Sequence, residues 1–500
     1  MHLRASQLMG NSEVLGSRRN LSEEHRASSA REGCDAAIYA FGGSTLFALL
    51  LVGAGIVTSP KPVLALPSFA RQTGQPCATC HTAFPELTPY GREFKLRGYT
   101  AGGTRCDNVA AEDAETQIPI AWMWTSGFTH LQKAIQGSPG QGDNDNLQVN
   151  QVSAFFGGQV YCNFGAFIQG TYDRPGANVS LDNTDLRYAN TGKVGGIGFV
   201  YGVTGNNNPT VQDVWNTTPA FIFPQLSSEF APTPGAATML QGTFGGRVGG
   251  AGGYVWINNM IYAEFTAYQS FDPGTLTSLG LDPGDGSPRI DGAAPYWRVA
   301  LEKTWDKNSW MVGTFGMFAN LEPTVGGGVP MGDALAFPGI TDPFTDVGVD
   351  TEYQYIGDVH DFSLKASYIW ERQKLEGEFG AGASSNLTDF LNNFDISANY
   401  VYNHTISLTG AYFNTWGTRD VLFNSGFTTG SPNSSGWIFD LAYLPFSYGG
   451  PAIWPWLNAR IGILYTHYNR FDGSVNNVDF TPGRTAQDND TTFVYTWVAF

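Results

Sequence analysis

The clearest chemistry in this chain lies in five consecutive residues, Cys77-Ala78-Thr79-Cys80-His81. C-x-x-C-H is the attachment pattern of haem c. Two thiols can form thioethers to the haem vinyls, and the adjacent imidazole is then placed to be the proximal iron ligand. A zinc site would need a second Cys or His pair at finger-like spacing, and none is present. The five Cys of the chain are too few for a disulfide scaffold.

Covalent haem attachment takes place outside the cytoplasm, so the chain must carry an export signal. Ala37 to Val57 is a mostly apolar run, with Arg18, Arg19, Arg26 and Arg31 before it and Val63-Leu64-Ala65 after it. That order reads as a signal peptide over residues 1–65, cleaved after Ala65. A transmembrane anchor is the rival reading of the run, and Pro60 and Pro62 straight after it favour cleavage. Residues 66–114 follow as a haem c-binding plug segment and linker. Its only helical pattern is Glu86–Leu96, interrupted by Pro89, so alone it would bury little core and should pack against something else. Residues 66–105 carry five basic and two acidic residues, whereas 106–500 carry 16 basic and 37 acidic. A basic plug thus faces an acidic remainder. Cys106 and Cys162 are the candidates for a disulfide tying the linker to that remainder; two separate thiols are the alternative.

The element that must hold the plug is residues 115–500. The chain has 62 Gly and 14% aromatic residues, and its charged fraction of 14% is well below the usual ~25%. Such a composition disfavours helices and suits a large all-β protein. The net charge of −17 argues against a nucleic-acid partner. Apolar/polar alternation recurs in segments of about 10 residues, the pattern of a transmembrane β-barrel. Sixteen segments are expected: 117–131, 147–158, 160–173, 183–190, 194–204, 238–246, 251–270, 294–305, 308–320, 346–358, 361–373, 389–402, 405–416, 434–444, 456–468 and 490–500. Their connections alternate long and short. This predicts a 16-stranded porin-like outer-membrane β-barrel, with the long loops extracellular and both mature termini periplasmic. The eight long connections hold 18 acidic and seven basic residues, a surface that could steer cations or simply stay solvated. No segment beyond the leader has the ~18 consecutive apolar residues of a spanning helix.

The stretch Leu66-Pro-Ser-Phe-Ala-Arg-Gln-Thr-Gly-Gln-Pro-Cys-Ala-Thr-Cys-His-Thr-Ala-Phe-Pro-Glu-Leu-Thr-Pro-Tyr-Gly-Arg-Glu-Phe-Lys-Leu-Arg-Gly-Tyr99 resembles the haem segment of the outer-membrane cytochrome c–porin fusions. The best known of these are iron oxidases. The barrel resembles theirs in length and strand count rather than in motifs. The resemblance implies one haem c held by a short plug at the barrel, with Cys77 and Cys80 as thioether sites and His81 as proximal ligand. It implies electron flow from an extracellular donor, Fe(II), to a periplasmic cytochrome.

The distal ligand is argued from the residues. Met123 and His130 are the nearest candidates and face opposite sides of the first strand. Trp122, Trp124, Phe128 and His130 share a face that suits lipid; Met123, Thr125, Gly127 and Thr129 share one that suits the lumen. Met123 is therefore the distal candidate and His130 the alternative, with wall packing and an interfacial girdle as their plain readings. Met/His ligation raises the potential, as a donor as weak as Fe(II) requires. The rival functions are a diffusion porin with a structural or regulatory haem segment, a fusion cytochrome using another donor, and a soluble periplasmic haem enzyme.

Overall fold

The computed structural model describes residues 67–103, 118–135, 144–173, 179–242, 244–284, 286–325, 329–330, 340–449 and 456–500. Sixteen strands form the wall. They are β1 (Ile120–Leu131), β2 (Asp145–Tyr161), β3 (Phe164–Asp173), β4 (Val179–Val194), β5 (Ile197–Asn206) and β6 (Val248–Ile257). β7 (Ile261–Ser270), β8 (Ala294–Trp305), β9 (Asn308–Leu321), β10 (Asp342–Ile356) and β11 (His360–Lys374) follow. The last are β12 (Thr388–Tyr402), β13 (Ile406–Gly417), β14 (Ser434–Tyr443), β15 (Asn458–Arg470) and β16 (Thr491–Ala499). Each pairs antiparallel with its neighbours in sequence. β1 pairs with β16, from Met123 opposite Ala499 to Leu131 opposite Thr491, which closes the barrel and leaves no free edge.

Alternation along the strands decides which side chains point where. On β1, Ala121, Met123, Thr125, Thr129 and Leu131 are buried toward the lumen, while Trp122, Trp124, Phe128 and His130 are exposed outside. The same rule turns Val299 and Leu301 outward on β8, Ile406 and Leu408 on β13, and Trp437, Phe439 and Leu441 on β14. A wall with this many large apolar side chains on its outer face is solvated by lipid, not water. Among the described residues no helix is long and apolar enough to cross a membrane.

Two expectations are corrected in a way that leaves the count unchanged. Residues 238–242 and 244–246 form turns inside the lumen and not a strand, and 251–270 is a hairpin of two strands, β6 and β7. Its turn holds Asn258 and Asn259 at φ 53° each, a left-handed pair that Asn tolerates better than other residues with a Cβ.

The lumen is filled from two sources, the N-terminal segment and the β5–β6 connection (207–247). The N-terminal segment contributes α1 (Pro67–Thr73), α2 (Cys77–Cys80) and α3 (Pro89–Leu96). Pro89 begins α3 instead of interrupting it: Thr88 caps the helix, accepting from Gly91 N at 3.2 Å, and Pro is suited to the first turn. Gly91 lets α3 lie on α2, since a Cβ there would meet the Cys80 carbonyl oxygen at 2.3 Å.

The N-terminal segment meets the wall and the β5–β6 connection through specific polar pairs. Arg92, 1% exposed, reaches Glu302 at 2.5 Å and Glu352 at 3.0 Å, with Gln354 and Ser309 completing the fork. Lys365 of β11 reaches back to Glu86 at 3.2 Å. Lys95 donates to the carbonyls of Val211 and Asp213 in the β5–β6 connection, and Tyr99 donates to Asp185 at 2.6 Å. These contacts gather where β8, β9, β10 and β11 meet their short turns, so the plug occupies the short-turn end.

Candidate functional site

A cavity of about 340 Å3 lies between the plug, β1, β2, β3, β16 and the β5–β6 connection. Cys80, His81 and Met123 line it, with an apolar shell that includes Phe69, Phe84, Phe155, Phe167, Leu226 and Trp497. A mostly apolar concavity with a few polar groups is the usual character of a ligand site.

The motif is positioned by one helical turn. α2 places Cys77 and Cys80 three residues apart and hence on one face, and His81 N donates to Cys77 O at 2.8 Å to close the turn. Asn458 at the start of β15 donates to Cys77 Sγ at 3.4 Å, and Ala78 N donates to Ser447 O at 3.1 Å. Both thiols are buried. Burial pushes Cys80 up to about 12 and Cys77 well above its ordinary value, so both are neutral thiols.

After the motif, the chain doubles back through the pairing of His81 with Leu87, with Thr82 N donating to Glu86 O at 3.1 Å. This brings Pro85 O to 3.1 Å from His81 Nδ1. A carbonyl can only accept, so Nδ1 carries the proton and Nε2 keeps its lone pair. Burial pushes the imidazole down to about 4 against two backbone hydrogen bonds that raise it, leaving it neutral at pH 7. The Phe84 ring packs edge-on to His81 at 5.3 Å and to Trp497 at 4.9 Å, and Arg460 fixes Phe84 by donating to its carbonyl at 2.6 Å.

Met123 reaches this cavity from β1, buried among Ala121, Phe155 and Trp497. His130 does not. It lies on the outer face, 48% exposed, with Nδ1 2.7 Å from Asp145. Cys106 lies outside the described residues. Cys162, at the β2–β3 turn with φ 45°, is disulfide-bonded. Two buried thiols, an imidazole with an available Nε2, a thioether and an aromatic wall form a donor set that suits haem c.

The β5–β6 connection was read as an outer loop and instead turns into the lumen. Its Val211, Asn216, Phe221, Ile222 and Leu226 line the cavity, and Asn216 Oδ1 accepts from Leu87 N at 3.0 Å. Trp215, fully buried, donates to Glu302 at 3.0 Å. The signal was available: Pro219-Ala-Phe-Ile-Phe-Pro-Gln-Leu226 is too apolar for a long solvated connection. Five of the acidic residues assigned to outer loops, Asp213, Asp342, Glu378, Asp420 and Asp472, are also buried.

No family model matches the chain, and no curated protein matches it. Solved structures with a similar barrel include Salmonella typhi OmpF in complex with daunomycin (14% identity, TM-score 0.43, covering 76% of this chain and 97% of that one). Others are an anion-selective porin from Comamonas acidovorans (10%, TM-score 0.41, 76% and 98%) and the outer-membrane channel DcaP of Acinetobacter baumannii (10%, TM-score 0.40, 76% and 96%). Each is a likeness of fold alone.

Proposed function

We propose that the chain is an outer-membrane mono-haem cytochrome that takes electrons from an extracellular donor, Fe(II), and delivers them to a periplasmic cytochrome. One observation carries this reading: the thiol of Cys80, the tethered imidazole of His81 and the thioether of Met123 line one largely apolar, aromatic cavity, and Cys77 lies one helical turn from Cys80 in α2. When bound, a haem c would supply a one-electron couple. The residues do the rest. Cys77 and Cys80 anchor the group covalently; His81, oriented by Pro85, offers Nε2; Met123 offers sulfur from the opposite wall element. Phe84, Phe155 and Trp497 exclude water. The barrel solves a problem of place, because the product Fe(III) precipitates near neutral pH and is best formed outside. A single site cannot bridge an apolar band of ~25 Å alone, so a periplasmic carrier must meet it at the short-turn end.

The purified protein tests the reading. Wild type should keep a haem-stained band on a denaturing gel, and Cys77→Ala and Cys80→Ala should each lose it. Stopped-flow mixing with Fe(II) should reduce the wild-type protein. A full-strength band in both variants, or no reduction by Fe(II), would overturn the corresponding half of the proposal.

A diffusion porin is the second reading, favoured by the sixteen-stranded barrel itself. Bilayer conductance separates the two: a lumen filled by residues 67–103 and 207–247 should conduct poorly, whereas a diffusion porin should pass ions freely.

A further inference from the structure

A second cavity, of about 410 Å3, lies at the long-loop end, between the ends of β9–β13 and residues 235–239 of the β5–β6 connection. Glu322, Asp342, Glu371, Glu378 and Asp389 line it, and among the described residues no Lys, Arg or His does. Arg289 reaches Glu322 at 3.5 Å where both are partly exposed. Asp342, Glu371 and Asp389 accept hydrogen bonds from neutral donors. Asp342 and Asp389 are 1% and 2% exposed. One oxygen of each is satisfied, by Gly377 N at 2.6 Å and by Asn386 Nδ2 at 2.8 Å, while the Oδ2 of each accepts no hydrogen bond. Glu371 stands directly opposite Asp346 across β10 and β11. Their donors are Gln373 Nε2 and the N–H groups of Met239 and Leu240, and Asp346 Oδ1 has none.

Two carboxyls opposed across a strand pair repel when both are ionised, and a buried carboxylate without a partner is costly. This wall therefore lacks positive charge. We propose that the cavity binds a hydrated divalent cation. Among the described residues no three ligating side chains converge closely enough to hold a bare ion. The occupant keeps its water, and the carboxylates accept hydrogen bonds from that water, as reluctantly dehydrated hard cations are held. Six waters need about 180 Å3 at roughly 30 Å3 each, so the volume suffices.

The site deepens the electron-transfer reading and rests on it for its role: hydrated Fe(II) is the donor that would occupy it. The β5–β6 connection walls this cavity at 235–239 and the other at 219–226. The ten residues from Leu226 to Gly235 cannot span more than about 35 Å, so one segment of chain runs from the donor cavity to the thiols' cavity.

The test uses Mn(II), which binds like other hydrated divalent cations without donating its electron under the same conditions. Full-length protein in detergent at 0.15 M salt is titrated with Mn(II), and free Mn(II) is read by its paramagnetic resonance signal. Wild type should show one saturable site per chain. Asp342→Asn/Asp389→Asn should weaken it by about tenfold or more, because ligand charge sets cation affinity. Ala237→Lys places an ammonium in the cavity from an exposed loop position and should do the same even if the double variant fails to fold. The absence of a saturable site in wild type, or unchanged affinity in Ala237→Lys with heat-modifiable barrel mobility retained, would overturn the proposal. Mn(II) binding needs neither haem nor electron transfer. A protein that binds Mn(II) at this cavity but is not reduced by Fe(II) keeps the site and loses the electron-transfer reading; the reverse pattern loses the site alone.

Discussion

At the short-turn end of the lumen, buried acids meet bases. Arg92 lies between Glu302 and Glu352, Lys365 beside Glu86, and Arg460 against Asp440 at 2.6 Å. At the long-loop end, Asp346 faces Glu371 and Asp342 and Asp389 keep bare oxygens. Both regions are equally buried. Coulomb attraction in a poorly screened interior is large, which makes the first region a lock between the N-terminal segment and the wall and leaves the second without a fixed cation. Under the proposed function, the lock would retain the segment that holds the covalent group, and the second region would admit a donor that comes and goes.

The widest way to break this comparison is at Arg92. Arg92→Met leaves Glu302 buried without its cation and Glu352 with only Lys365 at 3.7 Å, and removing one partner of a buried ion pair typically costs about 3–5 kcal/mol. The plug should loosen, giving protease sensitivity within 67–103 and higher bilayer conductance. Arg92→Met/Glu302→Gln/Glu352→Gln should recover most of the loss, since the attraction of such a pair largely offsets its desolvation. A single variant that stays protected and non-conducting would show that the lock lies elsewhere in the plug.

Met123 and His130 sharpen the comparison within a single strand. Met123→Ala should give a partly high-spin spectrum and a lowered potential, because a thioether ligand raises it. His130→Ala should leave both unchanged and cost no more than about 1 kcal/mol, the scale of an exposed ion pair such as His130–Asp145. A shifted potential in His130→Ala with an unshifted one in Met123→Ala would reverse the assignment.

Asp420 tests whether every acid at the long-loop end awaits a cation. Burial would push its carboxyl up, but N–H groups of Phe423, Ser385 and Leu422 and the Ser384 hydroxyl hold the ionised form, and the balance lies well below the usual carboxylate range. The Ser384 and Ser385 bonds, at 2.7 and 3.0 Å, join the 375–387 and 418–433 connections, while those from Leu422 and Phe423 close the local turn. A depressed folded value means stability that is fully present above the unfolded value of about 3.9 and is lost as pH falls from there toward the folded value. Amide-exchange protection of these two connections should therefore hold from neutral pH to about pH 4 and fall below it. Asp420→Asn should lose it at pH 7, by about 1.5–3 kcal/mol, the worth of hydrogen bonds to a charge. Equal protection in that variant would mean that other contacts join the connections.

The wall was legible because alternation is local: the outward Trp122, Trp124 and Phe128 and the inward Met123 follow from a period of two. The count of sixteen survived two errors that cancelled, one of them the unread Asn258-Asn259 turn. The motif was legible because its chemistry is contiguous. The inward path of 207–247 was not, since whether a connection is solvated or buried depends on what else fills the lumen. The burial of Asp342 and Asp420 is non-local for the same reason. Nothing in residues 374–388 taken alone says that Gly377 N will satisfy Asp342, or that Ser385 N will satisfy Asp420.

The smallest effect belongs to the acids that remain in solvent. Asp272, Asp282 and Asp291 of the β7–β8 connection are exposed, and Asp285 between them lies outside the described residues. Asp272 also caps the helix Pro273–Ser278, accepting from Gly274 N and Thr275 N at 2.9 and 3.1 Å. Replacing it by Asn keeps the cap, because Asn and Asp are near equal there. Asp272→Asn/Asp282→Asn/Asp285→Asn/Asp291→Asn thus removes charge without removing structure. Steering of a cation by a whole charged face reaches tenfold or more, so one connection should contribute roughly threefold at low salt. The Debye length shortens from ~30 Å at 0.01 M to ~8 Å at 0.15 M, and the difference from wild type should vanish over that range. An anionic Fe(II) chelate should speed up in the variant where the free ion slows down. The acidic cavity behaves differently: its carboxylates are enclosed, so its Mn(II) affinity should persist at 0.15 M. If the quadruple variant reacts with Fe(II) at the wild-type rate throughout, this connection is a solvated coat, and recognition of the donor falls to the enclosed carboxylates alone.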